Sequence, residues 1–308
     1  MRVKGIDTFR GLSIVLMVFF SLIMRLSDKL PDCLIHNVDD SLHLGDFVLP
    51  MFLFASGMSL VFFAKKREKK KKIDYYLDVV ERFGKLVLIS LFLTPFSAGE
   101  MLGMDEVMLS AVLFLITIVL LGFSEIIIVA VGIVVVVAYL ILQQIVLLPD
   151  FSAYYLGGYS AALFYLPVML AGVIAGKRMK ELGKVTGIAV IISVLLFLVV
   201  PPYKMVASPS FMMLSVVLSL LGFALVKDLE IEQLEYLGRK PIRYWVLMFV
   251  VLLIPIGFYG YLTSGSTALG FEWPIALILS LLCLPLLYLM SRGIDFVHVH
   301  LKQIFNHL

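Results

Sequence analysis

Two histidines, His36 and His43, sit in a short acidic stretch, HNVDDSLH, ten and three residues ahead of Asp46. An imidazole titrating near neutrality can take a proton from an amine or hydroxyl as that group attacks a carbonyl, which is the work of a general base. A carboxylate such as Asp46 or Asp40 can orient the ring and stabilise its protonated form, and a hydroxyl such as Ser21 or Ser41 can donate to a developing oxyanion. A plainer account makes both histidines exposed loop residues among acids, and residue types alone do not separate the two. A second group is basic: Arg10, Lys177, Arg178, Arg239 and Lys240 are of the types that pair with phosphate. Asp7 and Arg10 are i and i+3, so a local ion pair is expected there as well.

The elements that must position these residues are membrane spans. Of 308 residues, 61% are hydrophobic and only 15% charged, and the mean hydropathy is +1.05. A water-soluble fold of that length could not hide so much apolar surface. A span needs roughly 20 apolar residues, which predicts helices near 11–26, 47–64, 84–98, 107–124, 126–148, 159–176, 185–200, 211–226, 242–262 and 274–291. The fold class is therefore all-α, a polytopic integral membrane helical bundle of about ten spans. Only the residues around Ser124 and Glu125 separate the fourth span from the fifth, so one long helix is the alternative there. Pro95, Pro167, Pro255 and Pro285 fall in or near span ends and predict kinks rather than helix ends.

Short cytoplasmic loops retain Lys and Arg. With the N-terminus inside, twenty-two of the 25 basic residues fall on the inner side, nine of them between Lys65 and Lys85, against Arg25, Lys29 and Lys204 outside. Asp28, Asp32, Asp39, Asp40, Glu100, Asp105, Glu106, Asp150 and Glu272 fall in the external segments. Both termini are then cytoplasmic. The KKREKKKK run reads as a solvated face near anionic headgroups, and residues 292–308 as a cytoplasmic interfacial amphipathic tail. The basic residues cluster in a few loops, which argues against a nucleic-acid footprint. Cys33 and Cys283 lie at different depths, so both thiols are expected to be free.

The start of the chain is the most specific part. IDTFRGLSIVLMVF at 6–19 is followed, after the acidic stretch, by DFVLPMFLFASGMSL at 46–60. The pair resembles the membrane-bound acyltransferases related to heparan-α-glucosaminide N-acetyltransferase, with their D-x-x-R-G start, L-M-V-F core and D-x-V-x-P-x-F-x-F-x-x-G-x-S second helix. Asp7, Arg10, Gly11, Leu16, Met17, Val18, Phe19, Asp46, Val48, Pro50, Phe52, Phe54, Gly57 and Ser59 occupy the matching positions. LPVMLAGVIAGKRMK at 166–180 and LGRKPIRYW at 237–245 are similar to later family segments, so the resemblance covers most of the chain. The family's Asn after the L-M-V-F core is replaced by Phe20 or Ser21. The Trp, Gly and Thr of its H-x-x-W-x-G-x-T pattern are replaced by Asp39, Ser41 and His43.

The resemblance implies that residues 1–291 form a transmembrane acyltransferase-like domain, a multi-pass integral membrane enzyme. The family's proposed catalytic histidine stands ten residues before the Asp that opens the second helix, as His36 stands before Asp46. It further implies acetyl-CoA or another acyl-CoA as donor, with no metal. His36 would be the general base, and Asp46, Asp40 and Ser21 would assist it. The phosphates would lie on the inner side, where Arg10, Lys177, Arg178, Arg239 and Lys240 fall. The acceptor would be an amino sugar, glycan or lipid-linked glycan on the opposite side. Membrane lipids are the remaining partners, nucleic acid is not one, and a homodimer is an assembly such a chain could form. Two other readings stay open: a small-molecule membrane transporter, against which the near absence of ionisable residues in 107–148 and 185–226 speaks, and a catalytically silent relative, which the altered residues would suit. The charge bias yields a direct test of orientation. In a Cys283→Ser background, Cys33 should be labelled by an impermeant thiol reagent from outside and a cysteine placed at position 70 only from inside; external labelling of position 70 would reverse the topology.

Overall fold

The computed structural model describes residues 3–35, 41–65, 72–97, 104–145, 161–203, 208–264 and 268–306. Among them every regular element is helical: α1 (Lys4–Leu26), α2 (Val48–Lys65), α3 (Lys72–Ser97), α4 (Glu106–Leu120), α5 (Glu125–Ile145), α6 (Ala161–Lys177), α7 (Leu182–Val199), α8 (Pro209–Val226), α9 (Glu232–Arg239), α10 (Pro241–Leu247), α11 (Ile254–Ser264) and α12 (Trp273–Asn306). Seven helical stretches are long and apolar enough to cross a membrane, while α4 and α6 are shorter apolar helices. Both cysteines are free.

Local chemistry sets the boundaries. Gly122 and Ser124 lie in the turn that ends α4 and precedes α5, so residues 106–145 hold two helices and not one. The Asp105 carboxylate caps α4 by accepting the Met108 N–H at 2.6 Å, and the Ser208 hydroxyl caps α8 by accepting the Phe211 N–H at 3.2 Å, with Pro209 just inside. Helices α3, α6 and α12 continue through Pro95, Pro167 and Pro285. Pro255 is handled differently: α10 passes into α11 through a π-helical stretch, Met248–Leu253, just ahead of it. A proline has no N–H for the α-helical ladder and crowds the carbonyl four residues back, and a widened turn removes that conflict. The C-terminal helix is 34 residues long, or about 51 Å at 1.5 Å per residue. The segment after Arg292 continues this helix and does not begin a new one.

Helices α1, α2, α6 and α8 form the buried centre, with Phe9, Phe54, Met58, Phe164, Tyr165, Phe211 and Phe223 out of contact with solvent. Helices α5 and α7 surround it and expose Ile126, Val134, Ile188, Leu195 and Leu198, the surface expected where lipid is the solvent. Lipid supplies no hydrophobic drive between helices, so association depends on close backbone approach. A methyl group on Gly57 would overlap the Met169 carbonyl of α6, and one on Gly172 would overlap the Phe54 carbonyl of α2. Gly11 of α1 and Gly238 of α9 meet the Leu234 and Asp7 carbonyls in the same way. Gly172→Ala and Gly238→Ala should therefore each destabilise the protein in detergent by about 2 kcal/mol or more. Gly183→Ala on α7, whose Cβ would meet nothing within 4 Å, should leave the melting temperature unchanged or slightly raised; equal behaviour of the three would refute the close-approach account.

Candidate active site

Arg10 lies on the second turn of α1 and binds three elements at once. Its Nε donates to the Gly238 carbonyl of α9 at 2.5 Å, Nη1 to the Ser59 hydroxyl of α2 at 3.1 Å, and Nη2 to the Asp7 carboxylate at 3.1 Å. The expected i,i+3 ion pair thus exists, and it is buried, with side-chain exposures of 17% and 9%. Ser59 in turn donates to the Ala55 carbonyl at 3.0 Å. Helices α1, α2 and α9 are tied at one point.

Beside this tie opens a cavity of about 380 Å³. Arg10, Ser59, Arg82, Lys85 and Arg239 are among its lining residues. Ile14, Met17, Phe52, Leu53, Phe114, Met169 and Trp245 form apolar walls, and Ser56, Ile89, Glu106, Val107 and Ser110 complete the lining. Along α1 the lining residues Arg10, Ile14 and Met17 share one helix face. Ser21, half-buried, is the next residue on that face, one turn beyond Met17. The Arg82 guanidinium stacks over the Phe63 ring at 4.2 Å, while Lys85 pairs with Glu81.

Glu106 and Asp105 depart from the sequence expectation. The charge pattern assigns them to an external loop, yet Asp105 is only 2% exposed and its carboxylate accepts the Ser90 hydroxyl of α3 at 2.6 Å. Ser90 lies seven residues before the end of α3, so α4 starts level with the interior of its neighbour and both acids are carried into the bundle. Tyr165, 1% exposed on α6, lies within electrostatic reach of both Glu106 and Asp46.

Asp46 is buried, at 3% exposure, in the 3₁₀ turn Leu44–Phe47 that opens into α2, and accepts the backbone N–H of His43 at 3.0 Å. His43 is itself 7% exposed, which corrects its reading as an exposed loop residue: the Asp46 bond draws its backbone into the bundle. Asp46 therefore anchors the end of the histidine-bearing loop. His36 and Asp40 lie outside the described residues.

The cations singled out from the sequence divide into two sets. Arg10 and Arg239 line the cavity. Lys177 reaches the Phe123 carbonyl at 3.4 Å, and Arg178 binds Glu125 at 2.6 Å, a hydrogen bond that raises the guanidinium pKa further. Lys240 and Arg243 both pair with Asp295 of α12, which also accepts the Tyr236 hydroxyl at 2.8 Å. None of Lys177, Arg178 and Lys240 lines the cavity; each fastens its end of a helix to a neighbouring element. Arg82, Lys85, Glu106 and Trp245 were not singled out from the sequence. For Arg82 and Lys85 the available signal was their place in a basic segment running into an apolar one, and for Glu106 a carboxylate beginning a span.

Residues 2–185 match the family described as heparan-alpha-glucosaminide N-acetyltransferase, catalytic. No curated protein matches the chain.

The three bonds of Arg10 need a planar fork, which an ammonium group cannot imitate. Arg10→Lys should cost roughly 1–3 kcal/mol of stability, whereas Arg82→Gln, with an exposed side chain, should leave thermal unfolding in detergent nearly unmoved. Equal melting temperatures for wild type and Arg10→Lys would remove Arg10 from its structural role.

Proposed function

The chain belongs to the heparan-alpha-glucosaminide N-acetyltransferase family, whose match spans well over half of it, and we propose that it moves an acetyl or other acyl group from cytoplasmic acyl-CoA to an amino sugar, glycan or lipid-linked glycan on the far side of the membrane. The family is one of transmembrane acetyltransferases, and the apolar helices suit an integral membrane protein. The observation that carries the reading is the cavity, with its cations, apolar walls and deep carboxylate.

That lining suits the donor. Arg239, Arg82 and Lys85 would meet the phosphates, with charge-assisted hydrogen bonds as the source of affinity. Arg10 would shape the wall beside them, since its donors already serve Asp7, Ser59 and Gly238. At about 380 Å³ the space is at the small end for ligand sites, which suits an extended arm with its nucleotide left at the mouth. The thioester would lie beyond Met17, toward Ser21 and the loop that Asp46 anchors.

There the acceptor nitrogen or oxygen would attack the thioester carbonyl. A C–N or C–O bond forms, the C–S bond breaks, the acceptor proton passes to His36, and CoA departs as its thiolate. Ser21 would donate to the oxyanion, while Asp46 and Asp40 would hold the histidine loop and stabilise its imidazolium.

His36→Ala should retain acetyl-CoA binding and lower transfer by about 10² to 10⁴-fold, measured by release of free thiol with a panel of amino sugars and glycans. Undiminished transfer would eliminate His36 as the base. No transfer from any acyl-CoA, with intact CoA binding, would leave a silent relative as the better account.

A further inference from the structure

We infer that Glu106 selects pantetheine thioesters as donors by accepting a hydrogen bond from an amide N–H of the pantetheine arm, an inference that rests on the acyl-CoA reading above. A carboxylate carried into a membrane bundle is costly and calls for a specific task. The cap of α4 is Asp105, one residue earlier, which accepts the Met108 N–H. Glu106 lines the cavity with Val107 and Ser110.

The polarity of the cavity supports the assignment. Arg82, Lys85 and Arg239 bring cations to the lining, Glu106 a carboxylate, and Ile14, Phe52 and Met169 apolar surface. A matching ligand has anionic groups for the cations, an uncharged extended middle, and N–H donors for the carboxylate. The donor meets all three requirements: phosphates at one end, then an arm with two secondary amides leading to sulfur. A carboxylate accepts N–H groups and donates none, while the Ser56 and Ser110 hydroxyls can donate to the amide carbonyls. An acyl donor without an amide gains nothing from Glu106, so the residue discriminates among thioesters by chemistry rather than by size.

The test separates the arm from the nucleotide. Calorimetric titrations in detergent would compare wild type, Glu106→Ala and Glu106→Gln for CoA and for adenosine 3′,5′-bisphosphate, the nucleotide end without the arm. Glu106→Ala should weaken CoA by about tenfold or more, the worth of a hydrogen bond to a charged group, and leave the bisphosphate unchanged. Glu106→Gln keeps an acceptor oxygen and should fall between. Unchanged CoA affinity in both variants overturns the assignment, and so does parallel weakening of both ligands, which would mark a structural or long-range electrostatic role. A wild-type protein that binds the bisphosphate but gains no affinity from the arm also overturns it. A folded wild type that binds neither ligand instead removes the donor reading on which the inference rests.

Discussion

The Arg10 guanidinium divides its donors among Asp7 of its own helix, Ser59 of α2 and the Gly238 carbonyl of α9, and the cavity takes its shape from that arrangement. A charge so deeply placed is tolerable only when fully engaged. Engagement in turn requires α9 to lie almost in backbone contact with α1, which Gly11 and Gly238 permit. Without that contact the Gly238 carbonyl could not reach the guanidinium, and Arg239, the next residue, would lose its place in the cavity wall.

The same logic explains the division of labour among the basic residues. Those tied to a distant carboxylate join helices: Arg178 links the end of α6 to the start of α5, and Lys240 and Arg243 link α10 and its N-terminal flank to α12 through Asp295. Arg82 and Arg239 line the cavity instead, Arg82 over the Phe63 ring and Arg239 bonded within its own helix to the Glu235 carbonyl. Charge sign alone sorts residues to one side of a membrane; only partners distinguish a fastening cation from a binding one.

Much of this architecture was legible in the residues. Apolar runs located the helices, and the D-x-x-R-G and D-x-V-x-P patterns identified the family that the match over residues 2–185 supports. Three features were not legible, each for a physical reason. Helix α9 is eight residues long and amphipathic, too short for a hydropathy window and dependent on α1 for its burial. The depth of Asp105 and Glu106 follows from where α4 begins relative to α3, and charge composition is blind to that offset. The cavity lies among seven helices distant in sequence, so Arg82 and Lys85 could be counted as basic residues but not aimed. Proximity of Ser21 to the cavity could have been seen, because Arg10, Ile14, Met17 and Ser21 share one face of a single helix.

The π-helical stretch Met248–Leu253 has a further meaning. A π turn holds one residue more than an α turn, so it behaves as a single-residue insertion whose offset is absorbed without breaking the helix. Trp245, whose ring lies 5.3 Å from that of Phe249 and which faces the cavity, precedes the extra residue, and Pro255 follows it. Deleting one residue from this stretch would restore the α-helical ladder, but would turn α10 relative to α11 by about 100°, the rotation per residue of an α-helix. With α11 held, the indole would swing off the cavity wall. With α10 held, Pro255 would come to face a different neighbour. The angular phase between the aromatic wall and the outer half of this span is thus set by a count of residues, and lineages that differ by one residue here would differ in the shape of the cavity before any of its lining side chains had changed.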